Sequence, residues 1–377
     1  MPASEFMRAA LEEAERALGT TSPNPAVGAV VVRDGVVVGR GRTQPPGGDH
    51  AEVGALREAG ARARGATVYV TLEPCGHHGR TPPCTDALLA AGVAAVRYAL
   101  LDPDPLVDGG GARLLERAGI ELEVGDGAEE SALLLEGYLK HRRTGLPFVI
   151  AKFAASLDGR IAAASGDSRW VSGPEAREWA HEQRPRMDAI IVGVNTVLMD
   201  NPLLTARPGG RAEGVHQPLR VVLDSRGRML QDAAVLSGPA PTLVATTDRS
   251  TPAWREGIGR AGAEVLVLPA EQGRVAAGEL LRVLGERGAL TVLAEGGGIL
   301  LGALFDRRLV DRVQAIIAPV IVGAVRAPSA VAGVGAQRMS QAPRLRDVTV
   351  QRLGEDILIS GLPVWPDDAA AGLETER

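Results

Sequence analysis

Residues 73 to 84 read EPCGHHGRTPPC and hold both cysteines of the chain, Cys75 and Cys84, with His77 and His78 between them. Thiolate and imidazole are zinc donors, and a hydrolytic zinc needs three protein ligands plus one open position for water. The strand-like run ATVYVTLE would deliver Cys75 to the end of a sheet, and Cys84 falls in the first turn of the next helix. A helix N-terminus lowers the pKa of a thiol and so favours the thiolate that a metal needs. The third ligand is open among His77, His78 and a more distant residue. His50 is a strong competitor, because HAE stands at the start of another helix just after a Gly-Gly-Asp turn. Glu52, two residues on, would then sit beside the metal without binding it, suited to move protons between water and substrate. H-x-E followed by P-C and a later Cys is the signature of zinc deaminases, in which the glutamate is the acid/base and not a ligand. Their usual second half is P-C-x-x-C, whereas eight residues separate the cysteines here. GHHGRTPP therefore reads as an enlarged loop over the pocket, with Arg80 suited to a phosphate. Taken singly, the two cysteines also fit small buried hydrophobes and His50 a surface residue; both helix starts together favour zinc.

The second half carries a different constellation. No G-x-G-x-x-G follows its first strand, so the standard dinucleotide fingerprint is absent. Instead LTVLAEGGGILLGAL places Gly296, Gly297 and Gly298 between a buried strand and a helix, where backbone amides could cradle a pyrophosphate. Such a turn alone could equally be a tight connection, but VGVNTVLMD adds Asn195 and Thr196 after another strand, as cofactor donors would be. Of 41 basic residues only Lys140 and Lys152 are lysines. Where arginine serves everywhere else, a retained lysine points to a movable pKa and a proton that a guanidinium effectively cannot give up. Lys152, acting near Asp200, is thus a candidate proton donor.

The elements that must position these residues alternate between strand and helix. A helical pattern over residues 5–18 leads to VGAVVVR and GVVVGRG, joined by Asp34-Gly35 as a tight hairpin. HAEVGALREAGARA, TPPCTDALLAAG and GARLLERAG read as helices, ATVYVTLEP, VAAVRYALLDP and GIELEVG as strands, and AEESALLLEGYLKHRRTG as one last helix. This makes residues 1–145 an α/β layered domain, with HRRTGLP as linker. A fresh alternation over 146–365 follows, through FVIAKFAASLDG, PEAREWAHEQ, MDAIIVGVN, QPLRVVLDS, APTLVATT, AEVLVLP, a helix near 274–286, ALTVLAEGGG, DRVQAIIAPVIVG and closing strands over 346–360. The tail 366–377 is expected to be disordered. At 377 residues two domains are the first expectation. The net charge of −5, with an acidic excess in the first half, argues against nucleic acid. No run reaches the length of a membrane span and no signal peptide opens the chain, so a reducing cytoplasm is expected.

The segments TSPNPAVGAVVV, HAEVGAL, YVTLEPCGHHGRTPPCTDAL and DPDPLV, then KFAASLDGRIA, SGDSRWVSG, DAIIVGVNTVLMDNPLLTAR, VVLDS and LAEGGGILLGAL, resemble in order the bifunctional riboflavin-biosynthesis deaminase–reductases, the RibD family. The resemblance spans roughly residues 5–360. It implies a cytidine-deaminase-like domain and a dihydrofolate-reductase-like domain. The first would be a zinc deaminase of 2,5-diamino-6-ribosylamino-4(3H)-pyrimidinone 5′-phosphate; the second would use NADPH to convert the ribosyl chain to ribityl. It maps His50, Cys75 and Cys84 to Zn2+, Glu52 to the proton shuttle, and Asn24, His77 and Arg80 to the deaminase substrate. In the reductase it maps Ala154, Trp170, Thr196, Asp200, Ser225 and Gly296–Gly298 to the cofactor. Ser168, Arg184, Leu204, Arg207 and Glu295 map to substrate, with Arg184 and Arg207 as phosphate candidates. The family often has a histidine where this chain has Thr43 and another where it has Gly54; neither is a zinc ligand. Homo-oligomers are expected by the same resemblance, with AIIAPVIVG as a possible contact. Rival readings are a reductase with a decayed deaminase half, a zinc deaminase of another nucleobase with an unrelated partner domain, and a non-catalytic relative.

Overall fold

The computed structural model describes residues 3–78, 82–104, 107 and 109–367. The chain divides into two compact units, residues 1–147 with 288–290 and residues 148–287 with 291–377.

In the first unit α1 (Glu5–Glu15) precedes the hairpin β1 (Gly28–Arg33) and β2 (Val36–Arg42). Asp34 and Gly35 take φ of 51° and 75° between them, the left-handed pair that an Asp-Gly turn supplies. Then follow α2 (Ala51–Ala59), β3 (Thr67–Val70), α3 (Cys84–Ala91), β4 (Ala95–Tyr98), α4 (Gly110–Arg117) and β5 (Glu121–Val124). The sheet runs β2-β1-β3-β4-β5, antiparallel across β2, β1 and β3 and parallel from β3 to β5. Every residue of GAVVV in β1 is buried because the sheet is covered on both faces. Ala29 and Val31 join the core that holds Ala51, Ala55 and Leu88, while Val30 and Val32 meet Met7 and Ala10 of α1. The expected single last helix is two, α5 (Ala128–Leu134) and α6 (Glu136–Thr144). Leu135, at φ −96° and ψ 10°, departs from helical geometry and divides them.

Glycines in β2 seat α2. A Cβ on Gly41 would lie 2.1 Å from the Ala51 carbonyl oxygen and one on Gly39 2.2 Å from that of Ala55, so the helix backbone rests directly on the strand. Gly41→Val is expected to push α2 outward, costing about 1–3 kcal/mol as an overpacked contact. A lowered thermal midpoint together with lost metal content would show this; an unchanged metal content would disprove the link between this contact and the site.

The second unit contains β6 (Phe148–Ser156), α7 (Pro174–Gln183), β7 (Ala189–Gly193), α8 (Val194–Asp200), β8 (Leu219–Leu223), β9 (Thr242–Thr246), α9 (Pro252–Arg260) and β10 (Glu264–Val267). The short pair β11 (Ala270–Glu271) and β12 (Arg274–Val275) leads to α10 (Ala277–Glu286), β13 (Thr291–Glu295), α11 (Gly298–Asp306), β14 (Arg312–Ala318), β15 (Arg344–Leu353) and β16 (Asp356–Val364). The main sheet runs β10-β9-β8-β7-β13-β6-β14-β16-β15, parallel as far as β14. Its apolar runs AIIV, RVVL and TVLA bury Ile190, Val222 and Leu293 together. Of AIIAPVIVG, the first four residues lie in β14, paired on both sides by β6 and β16, while the following PVIVG leaves Val320 and Ile321 exposed. The outer strands are β10 and β15, and β15 leaves Val348 and Val350 exposed. No helix among the described residues is long and apolar enough to cross a membrane.

Candidate functional site

In the first unit three donors converge. His50 is the N-cap of α2, Cys84 opens α3, and Cys75 follows the end of β3. His50 Nδ1 lies 3.2 Å from Cys84 Sγ and 3.6 Å from Cys75 Sγ, and all three donor atoms fall within 4.8 Å of one another. The Cys84 backbone N–H also donates to Cys75 Sγ, at 3.4 Å. Tetrahedral zinc bonds to nitrogen and sulfur would set those atoms about 3.5 Å apart, so the donor set fits zinc in both type and spacing. His77 and His78 lie outside this cluster, so among the described residues the candidate donor set is the one that includes His50. A hydrogen bond from Cys84 pulls the Cys75 thiol down to about 4 against the effect of burial, while the same contact and burial push Cys84 up. Glu52 is buried in the first turn of α2, beside Cys84 and outside the donor triangle. Burial, reinforced by Cys75, raises its carboxyl to about 7.

Around this centre, His77 is half-buried with Nδ1 lacking a protein partner. Asn24 sits in a turn closed by its N–H to the Thr21 carbonyl, 2.9 Å. Arg80 lies outside the described residues. Thr43 is buried, and its hydroxyl bonds the Val27 backbone; a Cβ on Gly54 would meet only the Gly41 Cα, at 3.4 Å. Both are packing positions apart from the donors. Sequence reasoning missed Glu73, whose buried carboxylate accepts N–H bonds from Gly109 (3.1 Å), Ala112 (3.0 Å) and Asp102 (3.4 Å). It thereby fastens the start of α4 against the segment that carries Cys75. A Cβ on Gly111 would lie 1.8 Å from the Pro74 carbonyl oxygen, so the fit tolerates only glycine there. The sequence carried no local signal for this role, because the partners of Glu73 lie 29 to 39 residues further along the chain.

In the second unit a cleft of about 1440 Å³ gathers every second-half residue named from the sequence. Strand register sets Lys152 beside Glu295. The Glu295 carboxylate takes a forked pair from Arg184, at 3.2 Å from Nε and 2.7 Å from Nη2, and Arg184 Nη1 donates to the Thr205 carbonyl at 2.9 Å. Arg184 thus lines the cleft, but its fork, expected to face a phosphate, is engaged by Glu295. Burial opposes ionisation of Glu295, yet Arg184 and then Lys152 outweigh it and bring the carboxyl to about 2. Burial lowers the Lys152 pKa, Glu295 opposes that and Arg184 adds to it. Asp200 lines the same cleft and accepts from the Ser168 hydroxyl at 2.8 Å.

The glycine turn behaves as its composition demands. Gly297 is the N-cap of α11, and a Cβ on Gly298 would lie 2.2 Å from the Ser329 carbonyl oxygen. Thr196 lies close by, its hydroxyl 3.8 Å from where a Gly296 Cβ would be. Asn195 Oδ1 accepts from Arg228 (2.7 Å), and Ser225 Oγ accepts from the Val275 N–H (2.9 Å). Ala154 lines the wall. Trp170 is 70% exposed, with the Arg177 guanidinium 4.5 Å from its ring centre. Leu204 is buried at φ 52°, and Arg207 meets His181, a residue the sequence reading left out.

The family model for the RibD C-terminal domain matches residues 147–359, and that for the cytidine and deoxycytidylate deaminase zinc-binding region matches residues 2–100. The riboflavin biosynthesis protein RibD of Bacillus amyloliquefaciens is 40% identical over 359 residues, covering 95% of each chain. That of Escherichia coli K12 is 40% identical over 363 residues, covering 94% of this chain and 97% of its own. Among solved structures, Acinetobacter baumannii RibD (form 1) superposes with a TM-score of 0.86 at 39% identity, covering 95% of this chain and 98% of that one. A diaminohydroxyphosphoribosylaminopyrimidine deaminase/5-amino-6-(5-phosphoribosylamino)uracil reductase from Thermotoga maritima gives 0.82 at 34% identity, with the same coverage. The relatives share both halves, which sets aside a deaminase joined to an unrelated domain. The chain belongs to the RibD family, bifunctional enzymes of riboflavin biosynthesis that join a zinc-binding cytidine-deaminase-like domain to a dihydrofolate-reductase-like domain of the NADPH-using kind.

Proposed function

We propose that residues 1–145 deaminate 2,5-diamino-6-ribosylamino-4(3H)-pyrimidinone 5′-phosphate and that residues 146–365 then reduce its ribosyl side chain to ribityl with NADPH. The observation that carries this reading is the pairing of a His50/Cys75/Cys84 donor triangle, Glu52 beside it, with a separate cleft lined by Lys152, Glu295 and the glycine turn. When bound at the triangle, zinc supplies an acidified water and a Lewis acid. Glu52, buried off the ligand set, would pass one proton of the attacking water to the ring nitrogen as the C–O bond forms, and then a second, from the new hydroxyl, to the amine as the C–N bond breaks and ammonia leaves. Asn24, His77 and Arg80 bind the pyrimidine substrate.

In the cleft, NADPH supplies the two-electron reduction. Gly296, Gly297 and Gly298 present backbone amides to its pyrophosphate, with Thr196, Ser225, Ala154, Trp170 and Asp200 along its length. Glu295 holds sugar hydroxyls, Ser168 and Leu204 shape the substrate wall, and Lys152 gives a proton as the ribosylamine ring opens and is reduced. The enzyme works in the cytoplasm on a small phosphorylated pyrimidine, as a homo-oligomer, with no nucleic-acid or membrane partner.

The test supplies the diaminopyrimidine phosphate to zinc-loaded protein with and without NADPH. Ammonia is expected in both cases and the ribityl product only with NADPH; reduction without prior ammonia release would refute the order. Stripping the metal with a chelator should abolish ammonia release while reduction of the deaminated intermediate, supplied directly, stays within about twofold, because the donor triangle has no member in the cleft.

A further inference from the structure

His181 has no part in the chemistry described so far, yet it stands on the substrate wall. It lies in the last turn of α7, three residues before Arg184, so the two side chains share a face. Both line the cleft together with Arg207. Its Nε2 lies 3.4 Å from Arg207 Nη2. A guanidinium only donates hydrogen bonds, so Nε2 must be the unprotonated, accepting nitrogen and the ring proton must sit on Nδ1. Burial lowers the pKa of this imidazole, Arg184 and then Arg207 add to that with positive charge, and Glu295 and Glu178 oppose it. The neutral ring is the only form that can accept from Arg207.

The two arginines of this wall are not equivalent. The charge of Arg184 is offset by the forked pair with Glu295, both side chains being only 12% and 11% exposed. Among the described residues the Arg207 side chain has no carboxylate partner and one hydrogen-bonded neighbour, His181, and its Nε is buried without a partner. Of these two arginines, the one without a carboxylate partner among the described residues is Arg207. A long flexible side chain recognises a phosphate well only when its fork is held in place.

We propose that His181 is the positioning residue for phosphate recognition in the reductase cleft: by accepting from Nη2 it holds the Arg207 fork toward the 5′-phosphate of the substrate, while Arg184 serves to orient Glu295. This rests on the reading that the cleft reduces a phosphorylated pyrimidine. The cofactor also carries phosphates, so the test must separate the two sources.

His181→Leu removes the acceptor, and His181→Gln keeps a carbonyl oxygen near the place of Nε2. The reductase KM for the deaminated 5′-phosphate, the KM for the same compound without its phosphate, and the KM for NADPH are each measured. His181→Leu is expected to raise the first by about 10-fold, the loss of a hydrogen bond to a charged group. The other two KM values, kcat and ammonia release should stay within about twofold, and His181→Gln should recover most of the loss. An equal rise for the phosphorylated and dephosphorylated compounds, or a rise confined to NADPH, overturns the proposal. Arg207→Ala is the control for the underlying reading. If it does not separate the two substrates, Arg207 does not meet the phosphate and that reading fails; if it does while His181→Leu does not, only the role of His181 is lost.

Discussion

Glu52→Gln is expected to release ammonia at 10²–10⁴-fold below the parent rate, the usual contribution of a positioned acid/base, with zinc content and reductase turnover unchanged. The substitution is nearly isosteric, so the buried place in the first turn of α2 remains filled. An amide in that place can still orient a water, but it cannot carry a proton from water to ring. Zinc should remain because the three candidate donors are His50, Cys75 and Cys84, and Glu52, although beside Cys84, is not one of them. Metal analysis, an ammonia assay and a reductase assay on the same preparation give the answer. Ammonia at the parent rate would remove Glu52 from the mechanism; loss of zinc with the activity would make it a structural support of the centre instead.

The same separation shows what the linear chain made legible. His50, Glu52, Cys75 and Cys84 could be read because each sits at a helix start or strand end that is itself a local signal: HAE after Gly-Gly-Asp, and Pro-Pro before Cys84. The Asp34-Gly35 hairpin was legible for the same reason, since its φ values are properties of two residues. What was hidden depends on partners far along the chain. Nothing near Glu73 announces that it will accept from residues 102, 109 and 112, and nothing near Arg184 announces Glu295, 111 residues away. Nothing in PEAREWAHEQ announces that His181 will meet Arg207, 26 residues away. Two short helices were also lost. α8 follows β7 directly, without a side-chain cap to mark its start, whereas α9 does carry the Thr251 cap and Pro252 at its first position, a signal that was there to be used.

Lys152→Arg should bind NADPH as the parent does and lose reductase turnover by 10²–10⁴-fold, with ammonia release intact. The register of β6 against β13 fixes Lys152 beside Glu295, and Glu295 in turn is held by Arg184, so the lysine is the one member of this row that can give up a proton. Its pKa is lowered by burial, with Glu295 opposing and Arg184 adding to the effect. As a donor Lys152 must be protonated, so turnover should fall as pH rises through that lowered pKa, earlier than an ordinary lysine would allow. Glu295→Gln deletes the neighbour that raises the pKa and leaves Arg184, which lowers it. The basic limb of the kcat profile should therefore move to lower pH in that variant. The sign is decisive: a limb that stays in place, or moves to higher pH, would assign it to another group. An arginine variant that still turns over at the parent rate would show that Lys152 supplies only charge, since charge is what arginine preserves.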